Sequence, residues 1–315
     1  MEIIIHTEPS SEKKVTLQNP KTGEKVVILP EIGATLVELE LICENKLVQL
    51  IHLPGEKPIE ENDLYPSALL APWVNRVRNG NYSFEGRNYQ LPINESNLGN
   101  AIHGFLARKK FYISGKKCND ALAEVSFIHN YPGDFPGFPF PFIFTLTYRL
   151  SSKGTFTLNF KCQNTGQTNM PFACGWHPYF KIANADISHL EINFSPSLKY
   201  ISDAQMIPMA EESVSIPMPV RFSETTLDNV FKLKSQKDHL TELSDRESKI
   251  SLFLKQNSVE FPFLVVFAPT SENCVAIEPM TGNTDAFNTG DGLNVLCPNE
   301  EFTSLVEIWI DIAKI

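Results

Sequence analysis

Phe144-Thr145-Leu146-Thr147-Tyr148-Arg149-Leu150 alternates without a break: Phe144, Leu146, Tyr148 and Leu150 fall on one side, Thr145, Thr147 and Arg149 on the other. A period of two marks a strand with one face buried and one in water. After the serines at 151 and 152 and a glycine at 154, the pattern resumes. Phe156, Leu158, Phe160 and Cys162 alternate with Thr157, Asn159 and Lys161. Two such runs joined by a short Ser/Gly segment predict an antiparallel hairpin.

The same signal spreads outward. At the C-terminal end Val306, Ile308, Ile310 and Ile312 oppose Glu307, Trp309 and Asp311, and shorter alternating runs lie near residues 13–18, 24–29, 35–42, 82–91, 122–129, 188–194, 249–255 and 274–278. Met1 to His6 reads as a further strand, without the charged and apolar regions of a signal peptide. Helical periodicity is scarce; Glu224 to Leu233 is expected to form one or two turns. The Tyr131–Phe142 stretch, rich in Pro and Phe, runs straight into a strand and reads as a packed aromatic loop rather than an extended ligand for another protein. Many short strands with Gly and Pro turns predict an all-β fold, a large antiparallel β-sandwich with few short helices. No linker or repeat divides it, so residues 1–315 are expected to form a single domain.

The chain has 315 residues, of which 42% are hydrophobic, and carries a net charge of −10. Such an acidic surface argues against nucleic acid or an anionic membrane as partner. No apolar stretch reaches the roughly 18 to 20 residues of a membrane span. Six scattered cysteines without a CxxC motif read as reduced thiols, and the expected location is cytoplasmic. The spacing of the seven histidines matches no zinc motif, so no metal is expected. His6, His52, His129, His189 and His239 receive no role. No nucleophile elbow, phosphate loop or dinucleotide fingerprint is present.

Two segments concentrate the chemistry. Gly175-Trp176-His177-Pro178-Tyr179-Phe180 sets an imidazole among aromatic rings, and Ile277-Glu278-Pro279-Met280 sets a carboxylate at the end of an apolar run. An imidazole and a carboxylate in one cleft can act as general acid and base on an uncharged substrate. Asn75 and Arg76 share a loop in which the guanidinium either faces solvent or donates to a sugar-like hydroxyl array. His103 beside Gly104 reads as a core histidine or a ligand contact, and Asp228 as a turn cap or a hydroxyl acceptor, the plainer reading being the commoner for each alone.

In this order the motifs resemble the aldose 1-epimerase (galactose mutarotase) family from about residue 25 onward. The resemblance is carried by Asn75-Arg76-Val77 with Gly80, Tyr82-Ser83-Phe84-Glu85-Gly86, Leu91-Pro92-Ile93-Asn94, His103-Gly104, Phe135-Pro136-Gly137, His177 with Tyr179-Phe180, Leu227-Asp228, and Glu278 with Asp285-Ala286-Phe287-Asn288. It implies a mutarotase-like supersandwich without a cofactor, acting as an isomerase on the anomers of a free aldohexose. It further implies that Glu278 is the base at the anomeric hydroxyl, that His177 is the acid at the ring oxygen, and that His103 and Arg76 hold the ring oxygen and nearby hydroxyls. Asp228 would accept from sugar hydroxyls. Trp176 and Tyr179, with Trp73 and Phe180, are candidate walls against the sugar. The better-known members place Asn before this histidine, where Trp176 stands, which points to a less characterised branch.

Arg78 stands two residues after Arg76 and, on an extended segment, would face the same side, where it can meet a phosphate. A hexose-6-phosphate epimerase is therefore the second reading. A non-catalytic sugar-binding or sensor protein is the rival of another class, and a glycosidase built on Asp228 and Glu278 suits the two histidines less well. The imidazole and the carboxylate are expected to converge on a bound pyranose from opposite edges. Monomer and homodimer both remain open.

Overall fold

The computed structural model describes residues 1–6, 14–214 and 216–313; position 13 of the first alternating run lies outside them. The expected hairpin is present. Phe142–Ser151 pairs antiparallel with Phe156–Asn164, with Leu146 opposite Phe160 and Tyr148 opposite Leu158. Phe144, Leu146, Tyr148, Leu150, Phe156, Leu158, Phe160 and Cys162 are all buried. These strands sit inside a nine-stranded antiparallel sheet whose order runs Tyr112–Cys118, Leu122–Tyr131, Phe142–Ser151, Phe156–Asn164, Glu301–Ile312, Ile250–Gln256, His239–Asp245, Leu190–Asn193 and Val220–Arg221.

A second large sheet faces it. Its path runs Pro208–Ser213, Pro196–Ser202, Asp228–Leu233, Phe263–Phe267, Val275–Met280, Gly175–His177 and Ala68–Leu70, with Tyr179–Phe180 and Ile51–His52 joined at the side. Aromatic rings fill the space between the layers: Phe156 of the first sheet lies 6.3 Å from Trp176 of the second. Burying apolar area at roughly 25 cal/mol per Å² makes this interior the main stabilising term. The N-terminal strands Glu2–His6, Lys14–Gln18, Lys25–Leu29, Thr35–Cys43 and Lys46–Gln49 form a separate five-stranded sheet.

Helix is confined, among the described residues, to Ala286–Thr289 and four single 3-10 turns. No helix among them is long and apolar enough to cross a membrane. The Tyr131–Phe142 loop is packed as expected, with Phe138 within 6.3 Å of Phe105, Phe140, Phe142 and Tyr131.

The helical turns expected over Glu224–Leu233 are absent. Asp228–Leu233 is a strand between Pro196–Ser202 and Phe263–Phe267. Leu227, Val230 and Phe231 have helix-like spacing, but ladder pairing on both sides and burial of Val230, Phe231 and Leu233 in the sheet override it.

Candidate active site

The second sheet builds the floor of a cleft through its register. Val275–Met280 lies between Phe263–Phe267 on one side and two short strands on the other, Gly175–His177 and Tyr179–Phe180. Gly175 is opposite Met280 and Tyr179 is opposite Ala276, so His177 falls opposite Glu278. Pro178, which has no N–H to donate, sits at the break and accepts from the Ile277 N–H at 3.3 Å. Because side chains alternate, His177 and Tyr179, Glu278, Val265 and Phe267, and Asp228 all project from one face. The same residues line the cleft, together with Asp63, Leu64, Asn75, Arg76, Glu95, Ile102 and His103.

Loops supply the rim. Arg76–Val77 pairs with Ala101–Ile102, and the His103 N–H donates to the Asn75 carbonyl at 2.9 Å. Asn75 and His103 both hold positive φ, 47° and 61°, an arrangement uncommon outside glycine. Gly104 follows with φ of 68°, and a Cβ there would lie 1.9 Å from the Ala71 carbonyl oxygen. Glycine is the one residue that lets this loop close on the floor.

The cleft has a volume of about 210 Å³. Within it His177 Nε2 lies 3.4 Å from Glu278 Oε1. The His177 ring stacks on Tyr179 at 5.0 Å and meets the His103 ring edge-on at 5.2 Å. Three polar atoms, Glu278 Oε2, His177 Nδ1 and His103 Nδ1, are buried without a hydrogen-bond partner. A larger hollow of about 430 Å³ beside Glu191, Glu242 and Asp245 lacks this feature. There Arg221 engages Glu191, two serines engage Glu242, and the N–H groups of Glu247 and Ser248 engage Asp245. Against that hollow, unspent hydrogen-bonding capacity rather than size distinguishes the smaller cleft.

Electrostatics follow from burial. Desolvation, and then the neighbouring Asp228 charge, pushes Glu278 up to about 8, with Arg76 opposing. Desolvation takes His177 down to about 3, and holds His103 well below its usual value. Asp228 is also raised by desolvation, but it is exposed at the rim, so water screens it and the push is weaker than on Glu278. Chemically, the pair can hold one proton and pass it between two atoms at the bottom of a cleft.

The sequence model of aldose 1-epimerase matches residues 13–309. The chain belongs to the aldose 1-epimerase family. Among curated relatives, the uncharacterised protein YihR of Escherichia coli K12 is 25% identical over 281 residues, which cover 87% of this chain and 86% of YihR. The fold is shared with a galactose mutarotase-like protein of Clostridium acetobutylicum, with a TM-score of 0.87 at 22% identity over 99% of this chain and 98% of the other. It is shared also with a galactose 1-epimerase of Lactobacillus acidophilus, with a TM-score of 0.80 at 18% identity over 99% of each chain.

In this aldose 1-epimerase family member, His103, His177, Glu278, Asn75, Arg76, Asp228 and Tyr179 come together around one cleft. Trp176 does not. It is 1% exposed, its Nε1–H donates to the Ser67 carbonyl at 3.2 Å, and its ring packs on Phe156 and Phe180 in the core. Neighbours on a strand point to opposite faces, so a cleft-facing His177 turns Trp176 inward. Phe180 is inward for the same reason, and Trp73 packs on Phe105 and Phe287.

Arg78 also lies away from the cleft. The strand ends at Val77 and a 3-10 turn covers Arg78–Gly80, so the alternation expected from Arg76 stops. Arg78 donates instead to Asp203 at 2.6 Å and Gln205 at 2.7 Å. Asp285 and Asn288 are braces: Asp285 accepts from the Arg78 N–H at 2.9 Å and from Asn288 at 2.8 Å.

Sequence reasoning missed Glu95, Asp63, Val265 and Phe267. Glu95 follows directly after the Leu91–Asn94 motif and was reachable as the next carboxylate. Phe267 closes the run Phe263–Phe267, in which both faces are apolar and no alternation marks which side meets the cleft. Among the described residues, no set of three or more His, Cys, Asp or Glu side chains is arranged to hold a metal ion.

Proposed function

We propose that this protein is an aldose 1-epimerase that interconverts the α and β anomers of a free, uncharged aldohexose by acid/base-catalysed ring opening and closure. The observation that carries this reading is the 3.4 Å approach of His177 Nε2 to Glu278 Oε1 at the floor of one cleft. The two oxygens that must be served, the anomeric O1 and the ring O5, are bonded to the same carbon, C1. His177 and Glu278, side by side at the cleft floor, can serve both oxygens.

Glu278 takes the proton from O1–H as the C1–O1 double bond forms. The C1–O5 bond breaks, and His177 gives its proton to O5. Rotation about C1–C2 presents the other face of the aldehyde, and closure returns one proton to O1 from Glu278 and one from O5 to His177. The pair starts and ends each turnover with one proton. Burial favours that proton on Glu278 at rest, so it passes to His177 across the 3.4 Å contact before the ring opens; opening then leaves the O1 proton on Glu278 and the imidazole neutral. Positioned acid and base groups typically contribute about 10²- to 10⁴-fold.

His103 and Arg76 hold the ring oxygen and adjacent hydroxyls, Asp228 accepts from hydroxyls at the rim, and Asn75 steadies Arg76. Tyr179 and Phe267 offer apolar surface to the C–H face of the sugar. Support for an uncharged substrate comes from the cations. Arg76 faces Glu95, and Arg78 faces Asp203 and Gln205. The test is polarimetry on freshly dissolved α-glucose and α-galactose, with the hexose 6-phosphates as a second panel read by anomer-resolved NMR. Accelerated exchange of free sugars is expected; acceleration confined to the phosphates would overturn the substrate assignment.

A further inference from the structure

Of the residues lining the cleft, Arg76 is the one with a fixed positive charge, and Glu95 occupies most of its donor edge. The Arg76 Nε donates to both Glu95 oxygens at 3.0 and 2.9 Å, and Nη2 donates to Oε1 at 2.8 Å. Nη1 donates to Asn75 Oδ1 at 3.1 Å. Of the five N–H groups of a guanidinium, the second hydrogen of each terminal nitrogen is left for a ligand.

Glu95 is itself held in place. Its N–H donates to the Asn100 carbonyl at 3.1 Å, and its Oε2 accepts from Asn100 Nδ2 at 3.2 Å. Asn100 is fully buried and also donates to the Gln205 carbonyl at 2.9 Å, while Gln205 accepts from Arg78. The loop around Gln205, which belongs to the second sheet, thus braces the rim loop that carries Glu95. A charge-assisted, fork-shaped pair of this kind fixes orientation as well as charge.

We propose that Glu95 is a positioning residue for the ring-opening reaction: it sets the angle at which Arg76 meets the sugar and cancels the guanidinium charge beside the Glu278–His177 pair. The proposal rests on the reading of the cleft as an epimerase site. The groups facing Glu278 are His177 across the ladder, Asp228 and Arg76 at the rim, His103 behind His177, and Tyr179 on the same floor. Arg76 stabilises the carboxylate and Asp228 destabilises it. Without the Glu95 charge, Arg76 acts on Glu278 more strongly, with Asp228 left to oppose it.

The experiment compares kcat and KM for α-glucose or α-galactose across pH in wild type, Glu95→Gln, Glu95→Asp and the double variant Arg76→Gln/Glu95→Gln. Folding of each is checked by circular dichroism. In Glu95→Gln the fall of activity on the alkaline side is expected to move about 1 pH unit lower, with KM raised about tenfold. The double variant, neutral at both positions, is expected to return that limb toward its wild-type position while KM stays high. Glu95→Asp, which keeps the charge and shortens the clamp, is expected to raise KM and leave the limb in place; it decides the matter if Glu95→Gln does not fold. A wild-type limb and KM in a folded Glu95→Gln, or in Glu95→Asp a wild-type KM, would overturn the proposal while leaving the epimerase reading intact. A wild type that exchanges no hexose anomers would overturn both.

Discussion

His177 lies directly across an antiparallel ladder from Glu278, and Nε2 of the one meets Oε1 of the other at 3.4 Å. Opposed residues on one face of a sheet are held close by the backbone itself, without help from a loop. The relation sets two groups a hundred residues apart 3.4 Å from each other on a rigid element, the positioning that a paired acid and base need.

The pair titrates as a unit, so its pH dependence belongs to both residues. It carries one proton from about pH 3, where His177 would take up a second, to about pH 8, where Glu278 loses the last. Anomer exchange, after subtraction of the spontaneous rate, is expected to be level through mild acid and neutrality and to fall through about pH 8. Stopped-flow polarimetry checks this; activity that rises steadily beyond pH 8 would contradict the one-proton requirement.

Stability carries the same signature with a definite sign. Glu278 keeps its proton in the folded protein up to about pH 8, whereas in the unfolded chain it ionises near 4.5. Between those values the folded state binds the extra proton, so Glu278 makes stability decline as pH rises. His177, held low, acts the other way below its unfolded value near 6.5. Glu278→Gln is expected to gain stability over wild type at pH 8 by a few kcal/mol, with little gain near pH 4. Urea unfolding at the two pH values measures it, and an equal change at both would contradict the burial of an ionisable group.

Trp176 separates core from site. Trp176→Ala is expected to cost about 3–5 kcal/mol of unfolding free energy, and Trp176→Phe less, since it retains the ring but loses the hydrogen bond to Ser67. The folded fraction of Trp176→Phe is expected to keep the wild-type KM for sugar. A large rise in KM at unchanged stability would return Trp176 to the cleft wall.

Much of the fold is legible because the nine-stranded sheet has one buried face, so Phe144 to Leu150 and Phe156 to Cys162 display their period openly. The second sheet is harder to read. Phe263–Phe267 meets the core on one side and the cleft's apolar floor on the other, which erases the alternation. Asp228–Leu233 mimics a helix until its neighbours claim it as a strand. For the site, the residue types were readable from the resemblance, but their directions were not. Trp176 and Arg78 sit one and two positions from cleft residues and point elsewhere, the first through strand alternation and the second through the turn at Arg78–Gly80. Glu95 is marked in the sequence by its place directly after Leu91–Asn94, but its partner is not, because its contact is to the Arg76 side chain.

The pairing of a base with a retained sugar site is tested most directly by Glu278→Gln, assayed at one pH for both anomer exchange and equilibrium sugar affinity. Exchange is expected to drop by about 10²- to 10⁴-fold while affinity stays within several-fold of wild type. Exchange at the wild-type rate in that variant would contradict the role of Glu278 as the base.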